Sequence, residues 1–399
     1  MRRVAVIGLW AALMLVGCGS AKKASEKVER SGMAEQQAAQ PAVDAGMSPL
    51  QVGLRMVNAR AKGESQCVSP MSLMMALDMA REGARGATRR ELDAFLSNPL
   101  VLANRALGRG KGDDRALLAA NALWSDAGKP LSAQYVGTLK EQHGATAREL
   151  QLRLKPALSA DIINGWVKEN TKGLIEKLVE AGDIAQASVV LTNALYFRGE
   201  WARPFPKSAT HKAKFHATNG DYDVQLMQQE GQFRYAENGQ MQMVELEYKD
   251  LDYRMLVVLP RTSARETNWG AIDAGALSEL YSKMEYDQVK IFLPRYDRKS
   301  TMHLITLLSQ LGLGKCFSDA ADFSGMGKEF AGERIGDVIQ AVRFTVDEQK
   351  TEAAAATGIV MMRASLPPEA IPFRADRPFL YILYHKTLDN AVFVGVLDE

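Results

Sequence analysis

Apolar side chains recur at helical spacing in four stretches of the first half of the chain: Leu50 to Ala61, Pro70 to Glu82, Thr88 to Leu96 and Ala160 to Glu180. A period of about 3.6 residues predicts an amphipathic helix in each. Ser69-Pro70 is a strong start for the second of them, because serine caps the first turn and proline lacks an N–H that would have no partner there. The second half is patterned differently. Met255 to Leu259 and Val289 to Leu293 are short apolar runs closed by Pro260 and Pro294, and Phe379 to Leu383 and Ala391 to Leu397 flank Asp389-Asn390 as the arms of a hairpin. Helices first and strands later, with little regular alternation, predict an α+β fold with large, mainly antiparallel sheets. From Ser48 onwards no proline- or glycine-rich break divides the chain and no repeat is visible, so residues 47–399 read as one domain.

The amino-terminal segment has another pattern. Arg2-Arg3 precedes an apolar run from Val4 to Val16, then Gly17-Cys18-Gly19-Ser20. The run is shorter than the roughly 20 residues a membrane-spanning helix needs. A charged start, a short apolar stretch and small residues at its end read as an export signal. Its last residues, Leu15-Val16-Gly17-Cys18, resemble the lipobox of bacterial lipoproteins. That resemblance implies a signal peptide over 1–17 and a diacylglycerol on Cys18; an ordinary secretory signal ending in cysteine is the alternative. Residue 19 is glycine rather than an aspartate that would retain the protein in the inner membrane, so an outer membrane or cell surface is expected, with a periplasm-facing anchor as the variant. Residues 18–46 are rich in Ala, Lys, Glu, Gln and Ser. They cannot bury enough surface to offset their ordering entropy, and read as a tether.

Composition narrows the function. Among 399 residues, 49 are basic and 47 acidic, and a net charge of +2 gives no field that would hold nucleic acid non-specifically. Three cysteines exclude a disulfide scaffold, and Cys67 and Cys316 read as small buried hydrophobes. There is no G-x-S-x-G elbow and no H-E-x-x-H pair. The five histidines, at 143, 211, 216, 303 and 385, are scattered, and His211 and His216 have a surface reading. Gly108-Arg109-Gly110-Lys111-Gly112 has glycine where a phosphate-binding loop needs Ser or Thr. It reads as a solvated loop with weak polyanion binding as the residual option. No catalytic group, metal site or cofactor is implied.

One segment does not suit a core. Ala353 to Ala356 have the best helix propensity, yet Gly358 to Pro368 is β-branched, flexible and closed by prolines, as an exposed loop would be. With a period of two, Thr351, Ala353, Ala355, Thr357, Ile359 and Met361 would share one face of a strand. Several separated motifs accompany it: Val68-Ser69-Pro70-Met71-Ser72, Gly83-Ala84-Arg85-Gly86-Ala87-Thr88, Ile163-Asn164-Gly165-Trp166-Val167 with Thr171-Lys172-Gly173, and Thr192 to Trp201 ending at Pro204-Phe205. Leu293-Pro294-Arg295, Ala321 to Gly325 and Ala375-Asp376-Arg377-Pro378-Phe379 follow in order. Over some 350 residues the chain resembles the serpins, the serine-protease-inhibitor fold.

The resemblance implies three β-sheets, about nine helices and an exposed reactive-centre loop whose cleaved form inserts into the large sheet. It places the hinge at Glu348, Lys350, Thr351, Glu352, Ala353, Ala354, Ala355, Ala356 and Thr357, and the reactive bond at Ala364–Ser365, with Arg363 as the alternative primary residue. Alanine there suits elastase- or subtilisin-like serine proteases, arginine a trypsin-like enzyme, and a cysteine protease stays open as a target. Ser69, Ser72 and Asn193 match a polar cluster where the sheet opens, Trp201 an aromatic near the loop base, and Arg295 with Glu348 a charged pair there. Two departures stand out. Gln340-Ala341 replaces the family's His-Lys, so an amide has to satisfy the cluster, and Lys350 replaces a glycine that would ease insertion. The expected partners are a protease and, through Cys18, a lipid bilayer, with the protein itself a monomer. A non-inhibitory serpin acting as substrate or scaffold is the second reading.

Overall fold

The computed structural model describes residues 46–96, 117–348 and 369–399. Cys18, the Gly108–Gly112 loop, Lys350 to Thr357, Arg363, Ala364 and Ser365 lie outside the described residues. Two hydrogen-bonded sheets organise the rest. The larger runs β1 (Gln66–Val68), β14 (Asn390–Leu397), β13 (Phe379–His385), β8 (Tyr253–Pro260), β7 (Met241–Glu247), β6 (Gly220–Glu237), β9 (Glu285–Pro294), β12 (Ile371–Arg374), with β5 (His211–Ala217) also paired to β6. Only three residue pairs, Tyr235 to Glu237 against Val244 to Gln242, join β6 to β7. Two of the three expected sheets are thus continuous through that narrow joint. The third has five strands in the order β10 (Tyr296–His303), β11 (Ile335–Val346), β4 (Val189–Phe197), β2 (Leu117–Asp126), β3 (Thr146–Leu150).

Eight α-helices are present among the described residues: α1 (Pro49–Asn58), α2 (Pro70–Gly83), α3 (Gly86–Phe95), α4 (Ala133–His143), α5 (Pro156–Asn170), α6 (Ala181–Ile184), α7 (Ala274–Ser282) and α8 (Ile305–Leu308). α2 begins at the expected signal, with the Ser69 hydroxyl accepting from the Ser72 amide at 3.4 Å and Pro70 in the first turn. α5 is shorter than its apolar period predicts. It ends at Asn170 because Lys172 and Gly173 both take positive φ (53° and 77°), which no helix continues. The first half, expected to be mostly helical, also holds the strands β1 to β4.

β4 carries no alternating pattern for a physical reason. Leu191, Leu195 and Phe197 face the main core, while Val190 and Ala194 face a second core under α5, so all nine residues are buried. A strand covered on both faces has no polar side to reveal it. β11 divides in the same way. Val338, Val342 and Phe344 join the main core, Ile339 and Ala341 the second. Cys67 and Cys316 are both buried and unpaired with each other, and burial pushes the Cys67 thiol up to about 12.

Candidate functional site: the β4–β11 seam and the loop base

The smaller sheet has four junctions, of which two are parallel: β2–β3 at its edge and β4–β11 inside it. β2 runs antiparallel to β4 and β10 antiparallel to β11, whereas β4 and β11 are parallel, paired from Ile335↔Val189 to Phe344↔Phe197. β11 runs out directly at Asp347 and Glu348, the base of the segment expected to insert. A strand that folded back from Glu348 would be antiparallel to both β4 and β11.

Polar side chains cross this seam at its middle. Asn121, Asn193 and Gln340 occupy register-matched positions on β2, β4 and β11 and form a row facing the start of α2. Gln340 answers the departure noted in the sequence. Its carbonyl accepts from the Ser69 amide at 2.9 Å, and its amide donates to the Ser69 carbonyl and to Asn193 Oδ1, both at 2.8 Å. Asn193 donates in turn to Ser72 Oγ and Asn121 Oδ1, and Ser69 Oγ donates to the Val392 carbonyl at 2.7 Å. Ser69, Ser72, Asn193 and Gln340 are all at most 1 % exposed, so the bonds among these four are made away from water, where an unpaired group would cost about 1–3 kcal/mol. Ala341 faces the second core under α5.

Near the loop base the crossing is mixed. Phe197 stacks on Phe344 with ring centroids 5.5 Å apart. Trp201 lies flat on Tyr248 at 4.4 Å and donates from Nε1 to the Asp347 carbonyl at 2.9 Å, which anchors the chain just after β11. Gly199 admits the Tyr248 ring; a Cβ there would sit 2.3 Å from it. Burial drives the Tyr248 phenol well above its ordinary range. Glu348 is buried and accepts from Thr210 Oγ1 at 2.9 Å, with the exposed Arg295 guanidinium 3.7 Å away.

The structure therefore gathers the sequence-derived residues into two groups. Ser69, Ser72, Asn193 and Gln340 form one, and Trp201, Glu348 and Arg295 the other. Asn121, Thr210 and Asp347 belong to these groups and were not anticipated. Asn121 left a signal, a single amide inside the apolar run Leu117 to Trp124; Thr210 left none. Among the described residues no cluster of His, Cys, Asp or Glu is arranged to hold a metal ion. His211 and His216 are exposed, while His143 and His385 are buried.

Comparison with known proteins agrees with this arrangement. A family model described as serpin (serine protease inhibitor) matches residues 51–398. A serpin-like protein of Thermococcus kodakarensis is 34% identical over 343 residues, covering 82% of this chain and 79% of its own. The leukocyte elastase inhibitor of Bos taurus is 30% identical over 351 residues, covering 83% and 92%. In structure, uncleaved ovalbumin superposes with a TM-score of 0.80 at 24% identity, over 89% of this chain and 99% of ovalbumin. With a family match over most of its length, a relative above the identity at which folds are shared, and the serpin fold itself, the chain belongs to the serpin family.

Proposed function

We propose that this serpin inhibits serine proteases as a suicide substrate. A protease attacks the segment after Glu348, and the cleaved arm inserts between β4 and β11 before the acyl-enzyme is hydrolysed. The parallel β4–β11 pair carries this reading. One parallel seam would be exchanged for two antiparallel ones, and antiparallel pairing is the more stable per residue. The lengths agree, since Thr351 to Met362 numbers as many residues as the twelve of β11. A net gain of about one ladder bond per inserted residue, at about 0.5–1.5 kcal/mol each, is on the order of 10 kcal/mol. The uncleaved form is then a kinetic trap.

Ala364–Ser365 is the proposed reactive bond, with Arg363 as the alternative. The elastase inhibitor among the relatives favours an elastase-like target for Ala364. We place the protein outside the cell, held to a membrane by a lipid on Cys18 and the tether that follows. Lys350 favours the second reading, cleavage without trapping, because its side chain restricts backbone rotations that glycine would allow.

The test mixes the protein with elastase, subtilisin, trypsin and chymotrypsin, runs each mixture on a denaturing gel and weighs the released peptide. The expected result is a stable high-mass band with a peptide beginning at Ser365, lost in Thr351→Arg. Cleavage by every protease without such a band, and without a gain in heat stability, would establish the substrate reading instead.

A further inference from the structure

The seam between β4 and β11 is crossed a third time, at the end farthest from Glu348. Ser188 immediately precedes β4 and Glu333 lies two residues before β11. The Ser188 hydroxyl donates to Glu333 Oε2 and accepts from Arg153, which follows β3. Lys129, in the turn after β2, pairs with the same Glu333 carboxylate, and Arg153 Nη2 approaches it to 3.9 Å. Asp126, at the end of β2, holds this group in place. Its Oδ1 accepts from the Arg153 amide at 3.1 Å, and its own amide donates to the Ser188 carbonyl at 2.9 Å. Burial alone would raise the Glu333 carboxyl, but Lys129, Ser188 and Arg153 outweigh it and hold the group below its usual range, so it is ionised at neutral pH.

The arrangement is asymmetric in a way that matters. Lys129, Arg153 and Ser188 all belong to the β2–β3–β4 side, and Glu333 alone belongs to β11. Every side-chain bond described for Glu333 therefore spans the line along which the strands would part. The pairing is also weakest there, because the register slips between Ile335 and Asp337. A solvent-open cavity of about 530 Å³ lies beside the cluster, lined by Arg153, Ser188, Glu333 and Gly336 among others, so ions reach it. The middle of the seam differs, since its bonds are neutral and those joining Gln340 to Ser69 and Asn193 are buried.

We propose that Glu333, gripped by Ser188, Lys129 and Arg153, is a clasp at the foot of the seam that sets how far β4 and β11 can separate, and so how completely a strand can insert between them. Ser188 and Glu333 are positioning residues in this scheme and take no part in bond chemistry. The inference rests on the inhibitory reading above. An arm that enters from the Glu348 end fills the upper seam first and meets the clasp last. The clasp thus governs the final stage of insertion and leaves the initial stage alone.

The test uses the full chain and two synthetic peptides copied from it: the twelve residues Thr351 to Met362, and the six residues Thr351 to Ala356. Uptake into the uncleaved protein is followed by native mass spectrometry. In Ser188→Ala and Glu333→Gln the longer peptide should enter roughly tenfold faster or more, since a hydrogen bond to a charged group is worth at least that factor. The shorter one should enter at the wild-type rate. Raising salt to about 1 M should speed entry of the longer peptide into the wild type more than entry of the shorter one, and should act equally on the two peptides in Glu333→Gln, because both peptides pass the Arg295–Glu348 pair but only the longer one meets the charged clasp. Equal rates for the longer peptide in wild type and variants, or equal acceleration of both peptides, would overturn the clasp while leaving insertion intact. No uptake of either peptide by any form would overturn the insertion reading itself, and the clasp with it. The salt comparison between the longer and shorter peptides on the wild type decides the matter even where a variant folds badly.

Discussion

The two sheets are built to opposite ends. In the larger one every pairing from β1 through β7 is antiparallel, and parallel pairing is confined to β12 at its edge. Its centre is sealed by Val257, Tyr381, Phe393 and Val394, all buried apolar or aromatic side chains. In the smaller sheet β2–β3 is likewise a parallel pair at the edge, but a second parallel pair, β4–β11, lies inside the sheet, and discrete polar groups cross it at three levels. Apolar contact is roughly proportional to area and is lost gradually as surfaces separate. Hydrogen bonds and ion pairs are made or broken one at a time, and a newly arriving strand can replace them. A sheet held by a few such bonds can be stable and still separable along one line.

Substitutions in the two sheets should therefore differ in kind. The largest effect is expected from Phe379→Ala in the larger sheet, where the ring is fully buried against Phe215 and Tyr296. A loss of about 3–5 kcal/mol should appear as a lower urea midpoint, with uptake of the twelve-residue peptide unchanged. If uptake accelerates as well, the two sheets are not independent in the way the contrast supposes. Next is Gln340→Leu in the seam. It leaves the Ser69 amide and Asn193 Oδ1 without their partner, at a cost of about 1–3 kcal/mol. Because insertion breaks the Asn193 bond in any case, heat stability should fall more in the uncleaved protein than in the cleaved one; equal losses would remove Gln340 from the seam's function.

The smallest expected effect separates the sheets by pH. His385, on β13 of the larger sheet, is buried and accepts from the Leu388 amide at 3.3 Å. Burial holds its imidazole below the ordinary range despite the carboxylates of Asp252 and Asp250. Its folded pKa thus lies below the unfolded value of about 6.5, and as pH falls the unfolded chain takes up the proton first. Stability should be complete above that value and decline below it, by at most about 1.4 kcal/mol per pH unit for a single proton. Urea midpoints between pH 7.5 and 5.5 should show a shallower decline in His385→Gln; parallel declines would assign the effect to other groups.

What could be read without coordinates follows from the same contrast. Strands of the larger sheet that end at Pro260 and Pro294, and the β13–β14 hairpin, carried local signals. So did the capped start of α2. β4 carried none, since burial on both faces erases alternation, and the resemblance supplied its neighbourhood without naming it as a strand; β2, buried mainly from Ala122 to Ser125, lay outside every motif. The polar row was legible at Ser69, Ser72, Asn193 and Gln340 through that resemblance. Asn121 became visible only when register placed it beside Asn193. Thr210 and Asp347 act through a hydroxyl and a backbone carbonyl, groups that almost any sequence offers. The Ser188–Glu333 clasp joins residues 145 apart in the chain, and no spacing rule reaches that far.

The double burial of β4 also limits how the smaller sheet can move. A strand with one wet face can peel away alone, but β4 shares a core with α5 on one side and with α2 on the other, and Trp166 of α5 meets Trp124 of β2 edge-on at 5.5 Å. Bending β4 would open voids on both sides at once. If a strand enters the β4–β11 seam as proposed, β2, β3, β4 and α5 would have to shift together rather than β4 alone, so the cost of opening the seam would belong to that whole unit.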